Sequence, residues 1–482
     1  MAAGTNATRS ATLDLEARAT LRINRVRLSV GAVALLLLVG APPEAQSVKP
    51  NVILIQADDL GYGDLSVYGQ TKFQTPNLDQ LAREGIRFTQ YYAGSTVCAP
   101  SRSALMTGQH TGHTFIRGNS KRGLRPQDVT IATVLLGAGY RTALVGKWGL
   151  GDATTTGEPG KKGFDYSFGF LDQEHAHRQF TDHLYRNGQA YATDVDRDYA
   201  NDLFTRESLN VIRSADARPF FLYLNYTVPH AELRVPDDSL GPFASTFSER
   251  AFVNATADAR KTGPETPSLG YRSQPTPHAA FAAMITRMDR DIGRVVEAVH
   301  ARGVDRQTLI VFVSDNGPHA EGGGDPAFFN SAGGLRGIKR DLYEGGIRVP
   351  MIARWVGIIP AGRTSMFPAA HWDWLPTLAD LAGAAGTAGV DGFSIRRALS
   401  GQPQPAHEFM YWEFHERGFQ QAVRMADWKA VRLSVGSPLE VYNLRTDPTE
   451  SQDAAATQPA VVAKIESYLK TARTESPEWP IK

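Results

Sequence analysis

Four strongly apolar segments, each followed at once by polar residues, constrain the fold of this chain more than any other feature. Their cores read VILI, TALVG, FFLYLNYTV and LIVFV. Apolar strands without alternation are typical of parallel sheets whose two faces are both covered by helices. We therefore expect an α/β fold with a large, mostly parallel sheet sandwiched between helices.

Polar residues stand directly after each apolar segment. In chain order they are Asp58 with Asp59, Lys147, His230, and Asp315 with Asn316. In open α/β sheets, ligands bind outside the carboxyl ends of the strands. We therefore expect all of these side chains at one edge of the sheet, where they would form one site.

The carboxylate and amide side chains of this set indicate a metal site. Asp58, Asp59, Asp315 and Asn316 offer only oxygen donors, which suit calcium or magnesium. A single Asp after a strand is more often a turn residue or a helix cap. Two adjacent carboxylates at a buried strand end, however, repel each other unless a cation lies between them. A divalent metal site is therefore favoured over two structural caps.

Cys98 is the only cysteine among 482 residues, and it lies in VCAPSRSALMTG. A lone cysteine cannot form an internal disulfide, and free cysteines are commonly small buried hydrophobic residues. Here the residues after it predict a short helix that begins near Ser101. Because a helix N-terminus attracts anions, the thiol is expected where a negatively charged group would dock.

Two lysines and one histidine are further candidates. A lysine is usually a solvated surface charge, and a lone histidine is usually structural. Beside a metal, however, Lys147 and Lys339 are suitable point charges for a sulfate or phosphate group. His230 at the same edge would be placed to donate a proton to a leaving group.

The N-terminal segment, residues 1–45, is typical of a secretory signal. Arg22, Arg25 and Arg27 stand directly before the apolar run Leu28–Ala41, and small and polar residues follow it. The run is shorter than the roughly 20 residues of a membrane span, so an N-terminal anchor helix is the weaker alternative. We expect a periplasmic or secreted protein with no stable membrane span after cleavage. A net charge of +1 gives no reason to expect a nucleic-acid partner.

The segment C-A-P-S-R, continued by S-A-L-M-T-G, resembles the signature of the formylglycine-dependent (type I) sulfatases. The paired aspartates, GKWGLG, SDNG and GGLRGIKRDLYEGGIRVP add matches in the same order, from about Asn51 to the C-terminus. The resemblance implies an alkaline-phosphatase-like fold: a large mixed, mostly parallel sheet sandwiched by helices. It also implies a small C-terminal α+β subdomain with an antiparallel sheet and one helix.

The resemblance implies roles for individual residues. One calcium ion would be bound by Asp58, Asp59, Asp315, Asn316 and the Cα-formylglycine that a separate maturation enzyme makes from Cys98. Arg102 would position the modified side chain, Lys147 and Lys339 would hold the sulfate, and His230 would assist proton transfer. The hydrated aldehyde would attack sulfur and expel the alcohol, and its second hydroxyl would then allow sulfate to leave. Most of the catalysis would be electrostatic.

One position departs from the family pattern. Many members read GKWHLG, with a histidine two residues after the lysine, whereas this chain has Gly149. The base for sulfate release would therefore come from elsewhere. His110 and His113, which lie in GQHTGHTFIRGN, are candidates, and water is another.

The segment HWDWLPTLADLAG reads as a helix that closes the main domain, and histidines clustered on a loop beside the active edge are plausible substrate contacts. We expect a catalytic domain at 46–383 and a C-terminal subdomain at 384–482. The predicted substrate contacts are His175, His177, Arg178, His319 and His415. TVPHAEL and WEFHERGFQQAVR resemble the branch of the family that acts on polysaccharides, some members of which remove sulfate from galactose-type units. A pocket of this composition suits a sugar sulfate, and it also suits an aryl sulfate.

These observations predict a sulfuric ester hydrolase that acts on a sulfated carbohydrate. One alternative is a phosphate or phosphonate ester hydrolase on the same scaffold. Phosphatases of the superfamily generally use a Ser or Thr nucleophile and two zinc ions, and the single set of oxygen ligands argues against that reading. The other alternative is a non-catalytic glycan-binding protein whose Cys98 is never converted.

Overall fold

The computed structural model describes residues 49–214, 216–258, 270–385 and 388–482. The predicted signal segment, 1–45, lies outside the described residues. The described residues belong to one compact unit. None of the helices in these ranges is long and apolar enough to cross a membrane.

A mixed, mostly parallel sheet forms the centre of the molecule. Within the described ranges the strands are β1 (Asn51–Asp58), β2 (Ile86–Phe88), β3 (Tyr91–Tyr92), β4 (Arg141–Lys147), β5 (Tyr166–Phe170), β6 (His183–Arg186), β7 (Gln189–Ala192), β8 (Phe220–Pro229), β9 (Thr308–Ser314), β10 (Met351–Arg354), β11 (Arg363–Ser365), β12 (Ala369–Ala370), β13 (Met410–Phe414), β14 (Gln420–Met425), β15 (Trp428–Arg432) and β16 (Glu440–Asn443). The large sheet has the order β11-β2-β10-β9-β1-β8-β4-β5-β6-β7. Its central strands β9, β1, β8, β4 and β5 are parallel, as predicted.

Both faces of the central part of this sheet are covered, and strands β1, β4, β8 and β9 are buried over almost their whole length. Along β1, Ile53 and Ile55 pack in one apolar cluster, whereas Val52 and Leu54 pack in the other. All eight residues of β1 are buried. Successive side chains of a strand point to opposite faces of the sheet. A strand between two helical layers therefore needs apolar residues at both odd and even positions.

Helices form the two covering layers. The α-helices of the described ranges are α1 (Pro76–Arg83), α2 (Cys98–Thr107), α3 (Ile131–Gly137), α4 (Ala200–Arg213), α5 (Asp237–Leu240), α6 (Ala255–Asp258), α7 (Pro277–Ala301), α8 (Pro326–Phe329), α9 (Glu344–Ile347), α10 (Trp374–Ala382), α11 (Arg396–Leu399) and α12 (Pro459–Leu469). Helices α1, α4 and α7 contribute to the first apolar cluster. Helices α2, α3 and α10 contribute to the second.

The C-terminal region is a four-stranded antiparallel sheet, β13-β14-β15-β16, with α12 packed on it. Ile465 and Leu469 of α12 lie in one apolar cluster with Val423 and Val441 of the sheet. The predicted fold class is therefore confirmed in both parts. The domain boundary between residues 383 and 384 stays a prediction.

A buried ion cluster joins the C-terminal sheet to the rest of the molecule. Lys429 Nζ, on β15, lies 3.0 Å from Glu344 Oε1 and 3.0 Å from Glu450 Oε1. All three residues are fully buried. Burial, together with the negative charge of Glu344, raises the pKa of Glu450 to about 7 despite the nearby Lys429. Glu344 begins α9, which follows the loop containing Lys339.

Replacing Lys429 with methionine is expected to destabilise the protein strongly. The Lys429→Met change leaves a buried carboxylate without its cation, which typically costs about 3–5 kcal/mol. The measurement is the midpoint of thermal unfolding. Lys464→Met is the matched control, because Lys464 forms a largely exposed 3.1 Å pair with Glu408 and exposed pairs contribute little. Equal shifts in the two variants would contradict the assignment.

Candidate active site

The predicted site residues meet at the carboxyl edge of the sheet. Asp58 ends β1, Lys147 ends β4, His230 follows β8, and Asp315 follows β9. These four strands are neighbours in the parallel part of the sheet. Their ends therefore bring the four side chains together, and all four are essentially buried.

Helix α2 presents the cysteine at its first turn. It begins at Cys98, not near Ser101 as predicted, and Val97 is its N-cap. Pro100 lies within the first turn, where proline is tolerated because the amide of that position has no intrahelical acceptor. The sulfur atom is therefore at the helix N-terminus itself, where the positive end of the helix dipole lies.

The sulfur of Cys98 lies against two carboxylates. It is 3.4 Å from Asp58 Oδ1 and 3.9 Å from Asp59 Oδ1. Asp59 has a φ of 63°, which is uncommon for a residue other than glycine and which is often found at functional sites. Its backbone N–H donates to Asp315 Oδ1 at 3.0 Å. One ligand atom each from Asp58, Asp59, Cys98 and His230 lies within 4.8 Å of the others.

Asn316 supplies an oxygen without a protein partner. Its Nδ2 donates to Asp59 Oδ1 at 2.6 Å and to the Gly317 carbonyl at 2.9 Å. Its Oδ1 is buried and accepts no hydrogen bond within the described residues. A buried acceptor left unpaired costs about 1–3 kcal/mol. An all-oxygen donor set with one spare amide oxygen fits a hard divalent cation such as calcium or magnesium.

Three cations balance the three carboxylates of the cluster. The pairs are Lys147 Nζ to Asp58 Oδ2 at 2.7 Å, Lys339 Nζ to Asp59 Oδ2 at 2.8 Å and Arg102 Nη2 to Asp315 Oδ2 at 2.9 Å. The protein groups alone are therefore close to neutral. With a dication bound, the site would carry excess positive charge and would attract an anion.

Burial and neighbouring charges control protonation in the cluster. Burial alone would raise the pKa of Asp58, but the charges of Lys147 and Arg102 lower it well below its usual value. Burial, reinforced by the Asp58 charge, raises the pKa of Asp315 to about 7. Burial also raises the pKa of the Cys98 thiol well above its usual value. The unmodified thiol is therefore protonated at neutral pH, and a protonated thiol is a poor nucleophile.

The side chains of His230 and Lys339 are hydrogen-bonded to each other. The His230 Nε2 atom is 3.1 Å from Lys339 Nζ and 3.3 Å from Asp59 Oδ2. Burial, with the Lys339 charge, lowers the pKa of His230 well below its usual value. His230 is therefore neutral and accepts a hydrogen bond from the ammonium group of Lys339.

A cavity of about 170 Å³ opens over this cluster. Its lining includes Cys98, Gln173, His177, His230, Tyr271 and Lys339. The His177 ring stacks on the His230 ring, with centroids 4.5 Å apart and planes at 14°. Of the predicted substrate contacts, His177 is therefore the one that the structure places in the cavity wall.

Three other predicted substrate contacts are directed elsewhere. His175 is buried, and its Nε2 is 2.7 Å from Thr181 Oγ1. Arg178 donates to Glu232 Oε2 at 2.9 Å. His319 Nε2 is 3.0 Å from the Pro229 carbonyl, and its ring packs 5.7 Å from the His230 ring. His319 therefore packs against His230, and none of the three is among the residues that line the cavity.

The C-terminal sheet reaches the cavity through a different residue from the one predicted. His415 Nε2 lies 3.0 Å from Glu413 Oε1, and its ring packs against Trp479. Glu416, one residue further on, accepts from Asn119 N and Arg340 Nε, each at 3.2 Å. Asn119 and Arg340 both line the cavity. His415 therefore packs against Trp479, whereas Glu416 is hydrogen-bonded to two residues of the cavity wall.

His110 and His113, the predicted substitutes for the family histidine, do not line the cavity. They follow the C-terminal end of α2, whereas Cys98 is its first residue. Both lie beside Asp391, with His113 Nδ1 at 2.8 Å from its Oδ1. The residue packed over Gly149 is Gln173, which sequence reasoning missed.

Two further residues of the site had no sequence signal. Glu321 Oε2 is 3.3 Å from Lys339 Nζ and 2.9 Å from the hydroxyl of Tyr271, which lines the cavity. The Glu321–Tyr271 pair joins loops about 50 residues apart, so only the folded chain reveals it.

Comparison with known proteins places this architecture in one family. The family model described as "Sulfatase" matches residues 50–384. A second model, "N-sulphoglucosamine sulphohydrolase, C-terminal", matches residues 337–475. The chain belongs to the sulfatase family.

Several relatives resemble the chain over most of its length. An arylsulfatase of Hemicentrotus pulcherrimus is 31% identical over 84% of this chain and 74% of the relative. Human arylsulfatase A is 33% identical over 85% and 80%. The crystal structure of Ps i-CgsB in complex with k-i-k-neocarrahexaose superposes with a TM-score of 0.76 at 29% identity, covering 90% of this chain and 95% of that one. The protein is accordingly a sulfuric ester hydrolase.

Proposed function

We propose that this enzyme removes sulfate from a sulfated carbohydrate, with a formylglycine made from Cys98 as nucleophile and one calcium ion as cofactor. The observation that carries the proposal is the gathering of Asp58, Asp59 and Asp315 and the unpartnered Asn316 oxygen around residue 98. This is the donor set that a hard dication prefers.

Asp58, Asp59, Asp315 and Asn316 would hold the calcium. The ion would supply positive charge that polarises a sulfate oxygen and favours the ionised form of the nucleophile. Arg102 donates to Asp315 at 2.9 and 3.1 Å, and this contact fixes the carboxylate that the ion would use.

Two ammonium groups lie against the cluster around residue 98, and that of Lys339 also lines the cavity. Lys147 and Lys339 contact Asp58 and Asp59, the two carboxylates nearest to residue 98. Fixed cations on both sides of the sulfate would stabilise the charge that develops during transfer. Lys339, whose ammonium group donates to His230 Nε2 at 3.1 Å, is placed to deliver a proton to the departing alcohol oxygen, and His230 would assist by orienting that ammonium group.

The cavity wall supports a sugar over an aryl group. Asn119, Ser120, Asp172, Gln173 and Glu174 all line it. Amide, hydroxyl and carboxylate groups hydrogen-bond to sugar hydroxyls, which a simple aryl ring lacks. The similarity to Ps i-CgsB, a protein crystallised with a neocarrahexaose, supports the same class.

Kinetics on matched esters test the proposal. We expect the sulfate ester of a galactose-type sugar to be hydrolysed at least about tenfold more efficiently, by kcat/KM, than the phosphate ester of the same sugar. An unsubstituted aryl sulfate, assayed in parallel, should be a poorer substrate than the sugar sulfate. Faster phosphate hydrolysis would overturn the reaction class, and preference for the aryl sulfate would overturn the substrate class.

Export and maturation complete the proposal. The chain would be exported to the periplasm or secreted after cleavage near Gln46, and a separate enzyme would oxidise Cys98. The layout of residues 1–45 and the C-A-P-S-R segment support these steps. N-terminal sequencing of the mature protein tests the cleavage, and an intact N-terminus in the extracellular fraction would contradict it.

A further inference from the structure

Gly149 and Gln173 are packed together at the wall of the cavity. Gly149 lies two residues after Lys147 and has a φ of 73°, a conformation that favours glycine. A Cβ atom at this position would collide with the Gln173 carboxamide. Gln173 therefore occupies the space that a side chain at position 149 would need.

The backbone on both sides fixes this arrangement. The Gly149 N–H donates to the Leu171 carbonyl at 3.1 Å, which continues the pairing of β4 with β5. The Asp172 carboxylate accepts from the N–H groups of Glu174 and His175 at 2.8 and 2.9 Å. Gln173 is thus held on a turn whose two ends are anchored, so its carboxamide is pre-positioned.

One contact determines which way the carboxamide faces. Gln173 Nε2 lies 3.3 Å from the Gly149 carbonyl, and only the NH₂ group can donate to that oxygen. The Oε1 atom makes no hydrogen bond with any residue that the structure describes. Because Gln173 lines the same cavity as Cys98, its Oε1 is an acceptor left for a ligand.

We propose that Gln173 is a specificity-determining residue whose Oε1 accepts a hydrogen bond from a hydroxyl of the sulfated sugar. An amide oxygen is complementary to a hydroxyl donor and repels the oxygens of a sulfate group. Gln173 therefore contacts a hydroxyl of the sugar ring beside the ester, and it does not contact the sulfate group. This inference rests on the proposed carbohydrate substrate and adds to it the residue that selects the ring.

The test compares Gln173→Ala on two substrates. For a sulfated monosaccharide, kcat/KM is expected to fall about tenfold, mainly through KM, because one neutral hydrogen bond is lost. For an aryl sulfate without hydroxyl groups, kcat/KM should stay within about twofold, because the lost acceptor has no donor there. A residue with only a structural role would affect both substrates alike.

Gly149→Ala provides an independent variant of the same contact. The new Cβ would displace the carboxamide, so the variant should show the same selective loss, together with a lower midpoint of thermal unfolding because the φ of 73° at this position favours glycine. The double variant Gly149→Ala/Gln173→Ala should be no worse on the sugar sulfate than the poorer single variant, because neighbouring changes to one contact are not additive. Gln109→Ala is the matched control, since Gln109 donates to the Gly389 carbonyl at 2.8 Å away from the cavity.

The outcomes separate this inference from the proposed function. Suppose that the unaltered enzyme hydrolyses the sugar sulfate. If Gln173→Ala hydrolyses it equally well, or loses activity equally on both substrates, the role of Gln173 is refuted while the proposed function stands. If the unaltered enzyme does not hydrolyse sugar sulfates, the proposed substrate class and the role of Gln173 fall together. Selective loss of the sugar sulfate supports both.

Discussion

Cys98→Ser is expected to abolish steady-state turnover, with kcat reduced by about 10⁶-fold, the scale seen when a catalytic nucleophile is removed. A serine has one hydroxyl, so a sulfate transferred to it would remain as a stable ester. A hydrated formylglycine has a second hydroxyl that releases the sulfate. The measurements are steady-state hydrolysis and the mass of the tryptic peptide around residue 98.

The peptide mass gives this prediction two independent readouts. In active wild-type enzyme the peptide should be lighter than its cysteine form and should react with a hydrazide, because it contains an aldehyde. Ser103→Ala, on the same buried helix, is the control variant and should keep the aldehyde and most of the activity. Full turnover by Cys98→Ser, or a plain thiol in fully active enzyme, would refute the proposed nucleophile.

Asp315→Asn is expected to weaken calcium binding about 100-fold and to lower kcat/KM by about 10³-fold. The change keeps the shape of the side chain but removes one charge from the oxygen cluster. It also weakens the Asp315 contacts with Arg102 at 2.9 and 3.1 Å. Calcium affinity is measured by titration calorimetry on enzyme stripped with a chelator, and kinetics are measured at saturating calcium.

Asp64→Asn is the matched control for this change. Asp64 is as deeply buried as Asp315, burial raises its pKa to about 7 as well, and it accepts from Gly61 N at 2.8 Å. It takes no part in the cluster around Cys98. Asp64→Asn should therefore leave calcium affinity unchanged. Equal losses in the two variants would show that the effect comes from burying an amide and not from removing a metal ligand.

The positions of Asp58, Lys147 and Asp315 were predictable because two rules act together. An apolar run shows where a buried strand ends, and parallel strands end at the same edge of a sheet. The first residue of α2 was harder to predict from the sequence. The sequence predicts a helix that begins near Ser101, but Pro100 also fits the first turn without loss of a hydrogen bond. The three-residue difference puts Cys98 on the helix itself.

Loop side chains were predicted least well, for a physical reason. His175 and His177 are two residues apart, yet one is buried against Thr181 and the other lines the cavity. Their directions depend on a single turn that the Asp172 carboxylate holds. Gln173 and Tyr271 were missed because amides and phenols have no spacing pattern that marks a site. Their importance comes from neighbours that are distant in sequence.

The ion cluster of Lys429, Glu344 and Glu450 limits how this enzyme can be recombined with its relatives. Glu344 follows the lysine-bearing loop of the active site by five residues, whereas its partners belong to the C-terminal region. A chimaera with a crossover between residues 345 and 428 would inherit the members of this trio from two parents. Library designs that exchange the C-terminal region should therefore transfer all three residues as one block.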